Sequence, residues 1–106
     1  MGMFSKLPAL EEQERRFVIL AHLDAMSPVR EISDMFLADA CTAQGVPSGI
    51  EEVVESLAWL AKEGYVATQT RGAMQTAELL RKGLEVVKGN TSPEGFRRPR
   101  DFTRRS

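Results

Sequence analysis

The chain has 106 residues, of which 42% are hydrophobic and 27% charged, as expected for a single soluble domain with a modest core. No apolar run approaches the length of a membrane span, and the first residues lack a secretory signal, so we expect a cytoplasmic protein without membrane contact. The net charge of −1 hides an asymmetry. Residues 1–96 carry nine Lys and Arg against fourteen Asp and Glu, whereas residues 97–106 carry five Arg against one Asp.

Two amphipathic helices are predicted in the first 45 residues. A flexible N-terminus over 1–7 precedes the first helix, which we expect to begin at Pro8 and to end near Met26. Proline suits a first helical turn, and Ser27-Pro28 disfavours continuation. The second helix is predicted over 30–44, where a glycine ends it. Its expected core-facing residues recur at helical spacing: Ile32, Met35, Phe36 and Ala40.

The middle of the chain predicts a third helix followed directly by a two-stranded ribbon. Ser48-Gly49-Ile50-Glu51 is typical of a capping box at a helix start, and Gly64 is a natural helix end. Strand-forming residues over 65–70, a turn at Arg71-Gly72 and a return strand over 73–79 predict the ribbon.

A short fourth helix and a basic tail complete the chain. The helix is predicted over 80–88, and Gly83 in its interior indicates close packing, because glycine lowers helix propensity. The tail over 90–106 has little to bury, so we expect it to be flexible. The order of elements predicts an α+β, mainly α, winged helix-turn-helix over 8–89, with a three-helix bundle, a two-stranded β wing and the short fourth helix.

Four blocks of sequence carry a resemblance to a known family: 16–20, 57–66, 83–89 and 95–99. In this order they resemble small winged-helix proteins of Mu-like phages and prophages, some of which are named as ArsR-type regulators. The resemblance implies a cytoplasmic phage protein encoded among packaging and morphogenesis genes, with no catalytic residue. The chain departs from that family in having glutamates where relatives commonly place arginine in the third helix, and Leu80 where they tend to have a threonine cap.

The third helix of a winged helix normally lies in the major groove of DNA, with its N-terminal residues at the base edges. Here those positions carry Glu51, Glu52 and Glu55. Because carboxylates near phosphates oppose association, we interpret them as solvated residues suited to the positive helix N-terminus, or as contacts to a protein partner. Trp59, one step off the core face, is either a core residue or a further contact to that partner.

Candidate contacts to DNA phosphates lie in the predicted wing, the fourth helix and the tail, where Phe96 and Phe102 could stack on bases. The candidate cations are Arg71, Arg81, Lys82, Arg97, Arg98, Arg100, Arg104 and Arg105. Each also has a plainer interpretation as a solvated surface residue, and the tail could instead solubilise the chain or pair with the acidic body of a neighbouring subunit.

Two hypotheses about function follow from these patterns. One is a DNA-binding regulator or packaging accessory that contacts phosphates through its wing and basic tail. The other is a protein-interaction module of phage morphogenesis that binds no nucleic acid. We expect a homodimer in either case, because the basic tail complements the acidic body and two-fold assembly is common.

The sequence shows no pattern of catalytic or metal-ligating residues. Cys41 is the single cysteine, which excludes an internal disulfide, and its alanine-rich neighbourhood predicts a small buried thiol. His22 has no second histidine or cysteine at ligand spacing. We find no nucleophile–base pairing and no glycine-rich phosphate loop, so we expect no enzyme activity, no metal, no cofactor and no small-molecule substrate.

Overall fold

The computed structural model of the protein describes residues 3–100 and 102. In that part of the chain, four helices accompany a three-stranded antiparallel sheet with the strand order β1-β3-β2. The elements are α1 (Met3–Ala25), β1 (Ile32–Ser33), α2 (Asp34–Ala43), α3 (Ile50–Lys62), β2 (Val66–Arg71), β3 (Met74–Leu79) and α4 (Arg81–Lys88). The architecture is therefore α+β and mainly helical, as predicted.

The first helix supplies the centre of the core. It begins at Met3, earlier than the predicted start at Pro8, so the segment expected to be a separate N-terminus is helical from residue 3 onward. Ile19 and Leu20 are completely buried, because α2, α3 and α4 all pack against α1. Within residues 3–100 and 102, none of the helices combines the length and apolar character that a membrane crossing needs.

The start of the second helix differs from the prediction. Ile32 and Ser33 form a two-residue strand that pairs with Ala77 and Thr76 of β3, so the helix begins only at Asp34. The Ser33 hydroxyl oxygen accepts a hydrogen bond from the backbone N–H of Phe36 at 3.4 Å, which caps the helix. Pairing with a strand more than forty residues away is a tertiary contact that no local pattern specifies.

The buried face of α2 is also not the predicted one. Leu37, Ala38 and Cys41 are buried, whereas Met35 and Phe36 are 55% and 66% exposed. Both sets recur at helical spacing, so the periodicity permits either face to turn inward. Packing of α2 against α1 and α3 selects the face with Leu37, and the prediction for Met35 and Phe36 is wrong.

The third helix is confirmed, although its cap lies one residue later than predicted. Glu52, not Glu51, reaches back, and its Oε1 accepts a hydrogen bond from the Gly49 N–H at 2.7 Å. Ser48 is free for another role because Gly49 is the N-cap residue. The apolar face of α3 is buried at Val53, Leu57 and Leu60.

The ribbon is confirmed, with its turn displaced by one residue. β2 and β3 pair in register from Val66 opposite Leu79 to Arg71 opposite Met74. The two-residue connection therefore begins at Gly72, whose φ of +64° suits a glycine at the first central position of a type II′ turn.

Gly83 of α4 packs closely against the ribbon, as predicted. A Cβ atom at this position would lie 2.5 Å from the carbonyl oxygen of Tyr65 and 2.8 Å from Cδ1 of Leu79. Leu80 is the N-cap residue of this helix and is exposed. The helix is buried through Gly83 and the pair Val86 and Val87.

The tail over 90–106 is predicted to be flexible, but its described part contacts the rest of the domain. Phe96 and Phe102 pack against the core cluster, and Pro99 between them is buried. The backbone N–H of Arg97 donates to the carbonyl oxygen of Gln13 in α1 at 3.3 Å. The described part of the tail therefore belongs to the folded body.

Candidate functional site

The turn between α2 and α3 is held in place by a buried arginine of α1. Arg15 donates from Nε to the Ser48 hydroxyl oxygen at 2.7 Å and from Nη2 to the Pro47 carbonyl oxygen at 3.1 Å. The Ser48 N–H in turn donates to the Thr42 hydroxyl oxygen at 3.2 Å. These bonds fix the direction in which α3 leaves the turn, and with it the position of the exposed face of α3.

The exposed face of α3 begins with three carboxylates. Glu51, Glu52 and Glu55 are all exposed, and of these only Glu52 has a cation nearby among the described residues, with its Oε2 3.8 Å from Nη2 of Arg15. Glu51 and Glu55 have no hydrogen-bond or ion-pair partner among residues 3–100 and 102. Lys62 in the last turn is the first cation on this helix. We call Glu51, Glu52 and Glu55 the acidic face.

Two exposed apolar side chains lie at the start of α2, where sequence periodicity placed core residues. Met35 and Phe36 follow Asp34, whose Oδ2 accepts a hydrogen bond from the Gln75 N–H at 3.1 Å. That bond sets the first turn of α2 beside the first residues of β3, where Met74 is also exposed. The local pattern offers no signal for this exposure, because it depends on how α2 is rotated against α1 and α3.

The arginine at the end of the ribbon is engaged by a glutamate. Arg71 donates to both carboxylate oxygens of Glu31, from Nε at 2.8 Å and from Nη2 at 2.9 Å, and the Thr76 hydroxyl donates to Oε1 at 2.9 Å. The hydrogen bond from Arg71, followed by that from Thr76, lowers the pKa of Glu31 from 4.5 to about 2. Two donors of Arg71 are therefore already occupied.

The cations of α4 differ in their surroundings. Lys82 donates from Nζ to the Glu63 carbonyl oxygen at 2.6 Å and lies 4.5 Å above the Tyr65 ring centre. It thus satisfies a carbonyl group at the C-terminal end of α3. Arg81 is exposed, with no such contact among the residues that the structure describes.

The arginines of the tail lie against α1. Nε of Arg97 is 3.5 Å from Oε2 of Glu14, and the guanidinium carbon of Arg98 is 4.7 Å from the Phe17 ring centre. Arg100 is exposed. The remaining two candidates, Arg104 and Arg105, lie outside the described residues.

Trp59 lies beneath the tail and half-buried. Its ring stacks on Tyr65 with centroids 5.9 Å apart and meets the edge of Phe96 at 5.7 Å. The guanidinium carbon of Arg16 is 4.0 Å from the centre of the indole ring. The described tail therefore covers the surface through which Trp59 was expected to contact a partner.

Neither Cys41 nor His22 belongs to a cluster of metal-ligating side chains in the part of the chain that the structure describes. Cys41 is completely buried, and burial raises the pKa of its thiol to about 11. Burial also lowers the pKa of His22. No group of three or more His, Cys, Asp and Glu residues that could hold a metal ion occurs in the described part of the chain.

The comparisons with known proteins give no match, so the function is argued from the surfaces described above. No family model matches the chain, and no curated protein matches its sequence. The resemblance to proteins of Mu-like phages stays a prediction that rests on the sequence blocks alone.

Proposed function

We propose that the chain is a winged helix-turn-helix domain that acts as a protein-interaction module, whose acidic face binds a basic partner. The order of three helices, a ribbon and a fourth helix supports that fold. The main support for this function is that Glu51 and Glu55 are exposed and have no cationic partner among the described residues. Unpaired carboxylates on a rigid helix attract a partner of opposite charge and speed its encounter.

The same face disfavours the usual docking to DNA. The first turns of the third helix are the part that approaches the bases, and glutamates there bring negative charge toward phosphates. Three candidate phosphate contacts also have partners within the chain: Arg71 with Glu31, Lys82 with the carbonyl of Glu63, and Arg97 with Glu14.

Met35 and Phe36 form a second exposed element, which is apolar and lies at the other end of α2 from the turn that leads into the acidic face. Interface cores are enriched in methionine and aromatic residues, while charged groups lie at the rim and steer association. A partner that combines basic and apolar side chains fits both features. If the resemblance to proteins of Mu-like phages holds, that partner is another morphogenesis protein of the phage.

Contact with DNA phosphates is the second candidate. It is favoured by Arg98 and Arg100, which are exposed and have no carboxylate partner among residues 3–100 and 102. Two phosphate contacts give a salt slope of only about −2 on duplex DNA, so such binding is weak. It is compatible with a regulatory or packaging role for the wing and the basic tail.

A titration of fluorescently labelled random duplex DNA with the full chain separates the two candidates. At 50 and 200 mM salt, protein recognition through the acidic face predicts no saturable binding. Binding that falls about tenfold between the two salt concentrations and weakens in an Arg98→Gln, Arg100→Gln double variant would favour the DNA candidate. Glu94→Gln, at an exposed carboxylate of the same tail, is the matched control variant.

A further inference from the structure

The tail is attached to the body through two aromatic side chains. We call residues 91–102 the strap, of which 91–100 and 102 are described. Phe96 meets Tyr65 edge-on with ring centroids 5.0 Å apart, and it also contacts Trp59. Phe102 meets Phe17 edge-on at 5.4 Å. Such edge-to-face pairs stabilise beyond the burial of apolar area, so each phenylalanine is a specific contact.

Polar contacts fix the register of the strap. Nη1 of Arg16 donates to the Gly95 carbonyl oxygen at 3.1 Å, and the Arg97 N–H donates to the Gln13 carbonyl oxygen at 3.3 Å. The ion pair between Arg97 and Glu14 lies beside them, with Nε 3.5 Å from Oε2. All these body groups belong to α1, far from the strap in sequence, so the strap lies on the body as a peptide ligand lies on a receptor.

The contact between the strap and the body also requires glycine at position 95. A Cβ on Gly95 would lie 2.9 Å from Cη2 of Trp59, and the φ of +102° is one that other residues rarely adopt. Each residue of Gly95-Phe96-Arg97 therefore makes a specific contact with the surface of the body on which the strap lies. We call that surface, formed by Glu14, Arg16, Trp59 and Tyr65, the strap groove.

We propose that the strap groove also accepts the strap of a second copy of this chain, so that two copies exchange straps to form a dimer. The strap of a second copy can make the same contacts in the strap groove, because it carries the same glycine, phenylalanine and arginine. Exchange of an identical segment is a known route to two-fold dimers. Thr91 and Ser92, the first two residues of the strap, are exposed, so the chain can leave the end of α4 in another direction without uncovering the core. This inference is independent of the proposed binding of a basic partner.

Binding within one chain competes with this exchange. A short connection gives the strap an effective concentration in the millimolar range at its own groove, so the monomer dominates in dilute solution. Weakening the contact within each chain while preserving it between chains will therefore reveal the dimer. The ion pair between Glu14 and Arg97 permits this design, because each residue belongs to a different side of the contact.

The test mixes two full-length variants, Glu14→Arg and Arg97→Glu, in sedimentation equilibrium at about millimolar concentration. Each variant alone places like charges across the strap contact, both within a chain and between chains, and is expected to be a monomer. Reciprocal exchange in the mixture pairs opposite charges at both contacts, so the expected mass is doubled. The chain with both changes regains its internal ion pair and serves as a monomeric control. A mixture that stays monomeric would overturn the proposal.

A peptide titration covers the case in which either charge variant fails to fold by circular dichroism. A labelled peptide of residues 91–102 is titrated with full-length Phe96→Ala, whose own strap is weakened, and with the unchanged chain. Exchange predicts binding to the variant at least about tenfold tighter than to the unchanged chain, since its groove is more often open. The same peptide with Phe96→Ala is the control. Equal binding of the peptide by both chains, or none by either, would contradict strap exchange.

Discussion

Arg71 and Glu31 form an ion pair with two hydrogen bonds that spans the sheet, with Nε 2.8 Å from Oε1 and Nη2 2.9 Å from Oε2. Arg71 ends β2 and Glu31 directly precedes β1, so the pair joins the two edge strands across β3. The hydroxyl group of Thr76 in β3 donates to the same carboxylate, so the contact links residues in or next to all three strands. The segment that leads into α2 is thereby tied to the ribbon.

This ion pair makes stability depend on acidity. The folded pKa of Glu31, about 2, lies below its ordinary value of 4.5, so the folded state favours the ionised carboxylate. The stabilisation is complete above pH 4.5 and is lost as the pH falls from there toward 2. Urea unfolding of the unchanged chain and Glu31→Gln should differ at pH 7 and converge near pH 2. Glu94→Gln, an exposed site without such bonds, should show no comparable convergence; equal pH profiles for Glu31→Gln and the unchanged chain would exclude this role.

Replacement of Arg15 tests what holds the turn before α3. Arg15→Met keeps much of the side-chain volume but leaves the Pro47 carbonyl and the Ser48 hydroxyl without their donor. We expect a loss of about 1–3 kcal/mol in the free energy of unfolding, because two part-buried acceptors lose a charged hydrogen-bond donor. Chemical denaturation measures it, with Lys62→Met at an exposed site as the control. A loss no larger than in that control would show that the turn is held by other contacts.

Gly83→Ala is expected to have two opposing effects on stability, a gain in helix propensity and a loss of packing. Alanine favours an α-helix over glycine by about 1 kcal/mol, which alone would stabilise the protein. The added methyl group would lie 2.5 Å from the Tyr65 carbonyl oxygen, a backbone atom that cannot move without shifting β2. We therefore expect a net loss of about 1–3 kcal/mol in thermal or chemical unfolding. Lys88→Ala in the same helix is the control, and a more stable Gly83→Ala protein would contradict the close packing.

Cys41 should react slowly with thiol reagents in the folded protein. The thiol is completely buried, and its pKa of about 11 keeps the reactive thiolate scarce at pH 8. We expect labelling by a disulfide reagent at least about a hundredfold slower in buffer than in urea, with a rate that follows opening of the fold. Comparable rates in the two solvents would mean that α2 does not shield this residue.

The parts of the fold that could be predicted from sequence are those with strong local signals. Gly64 follows the end of the third helix, and the strand-forming residues after it turn back at Gly72, so the predicted bounds of α3 and of the ribbon strands differ from the structure by one residue. The orientation of α2 could not be predicted, because Phe36 and Leu37 belong to two apolar stripes with the same period. Only packing against α1 and α3 decides between them.

The tail illustrates a second limit. Its composition resembles that of a disordered segment, yet Phe96 and Phe102 pack against a core formed by residues from elsewhere in the chain, and Pro99 is buried. Charge composition likewise shows how many arginines are present and not which of them have partners. The pairings of Arg71 with Glu31 and of Arg97 with Glu14 are contacts between distant segments.

The acidic face is tested most directly by capture with the immobilised full-length chain, using the purified products of the genes adjacent to its own. Three baits are compared: the unchanged chain, the double variant Glu51→Lys, Glu55→Lys, and the control Glu94→Lys. We expect a basic protein to be retained by the unchanged chain and the control and lost from the double variant. Equal retention by all three baits, or retention of no basic protein by the unchanged chain, would contradict binding through the acidic face.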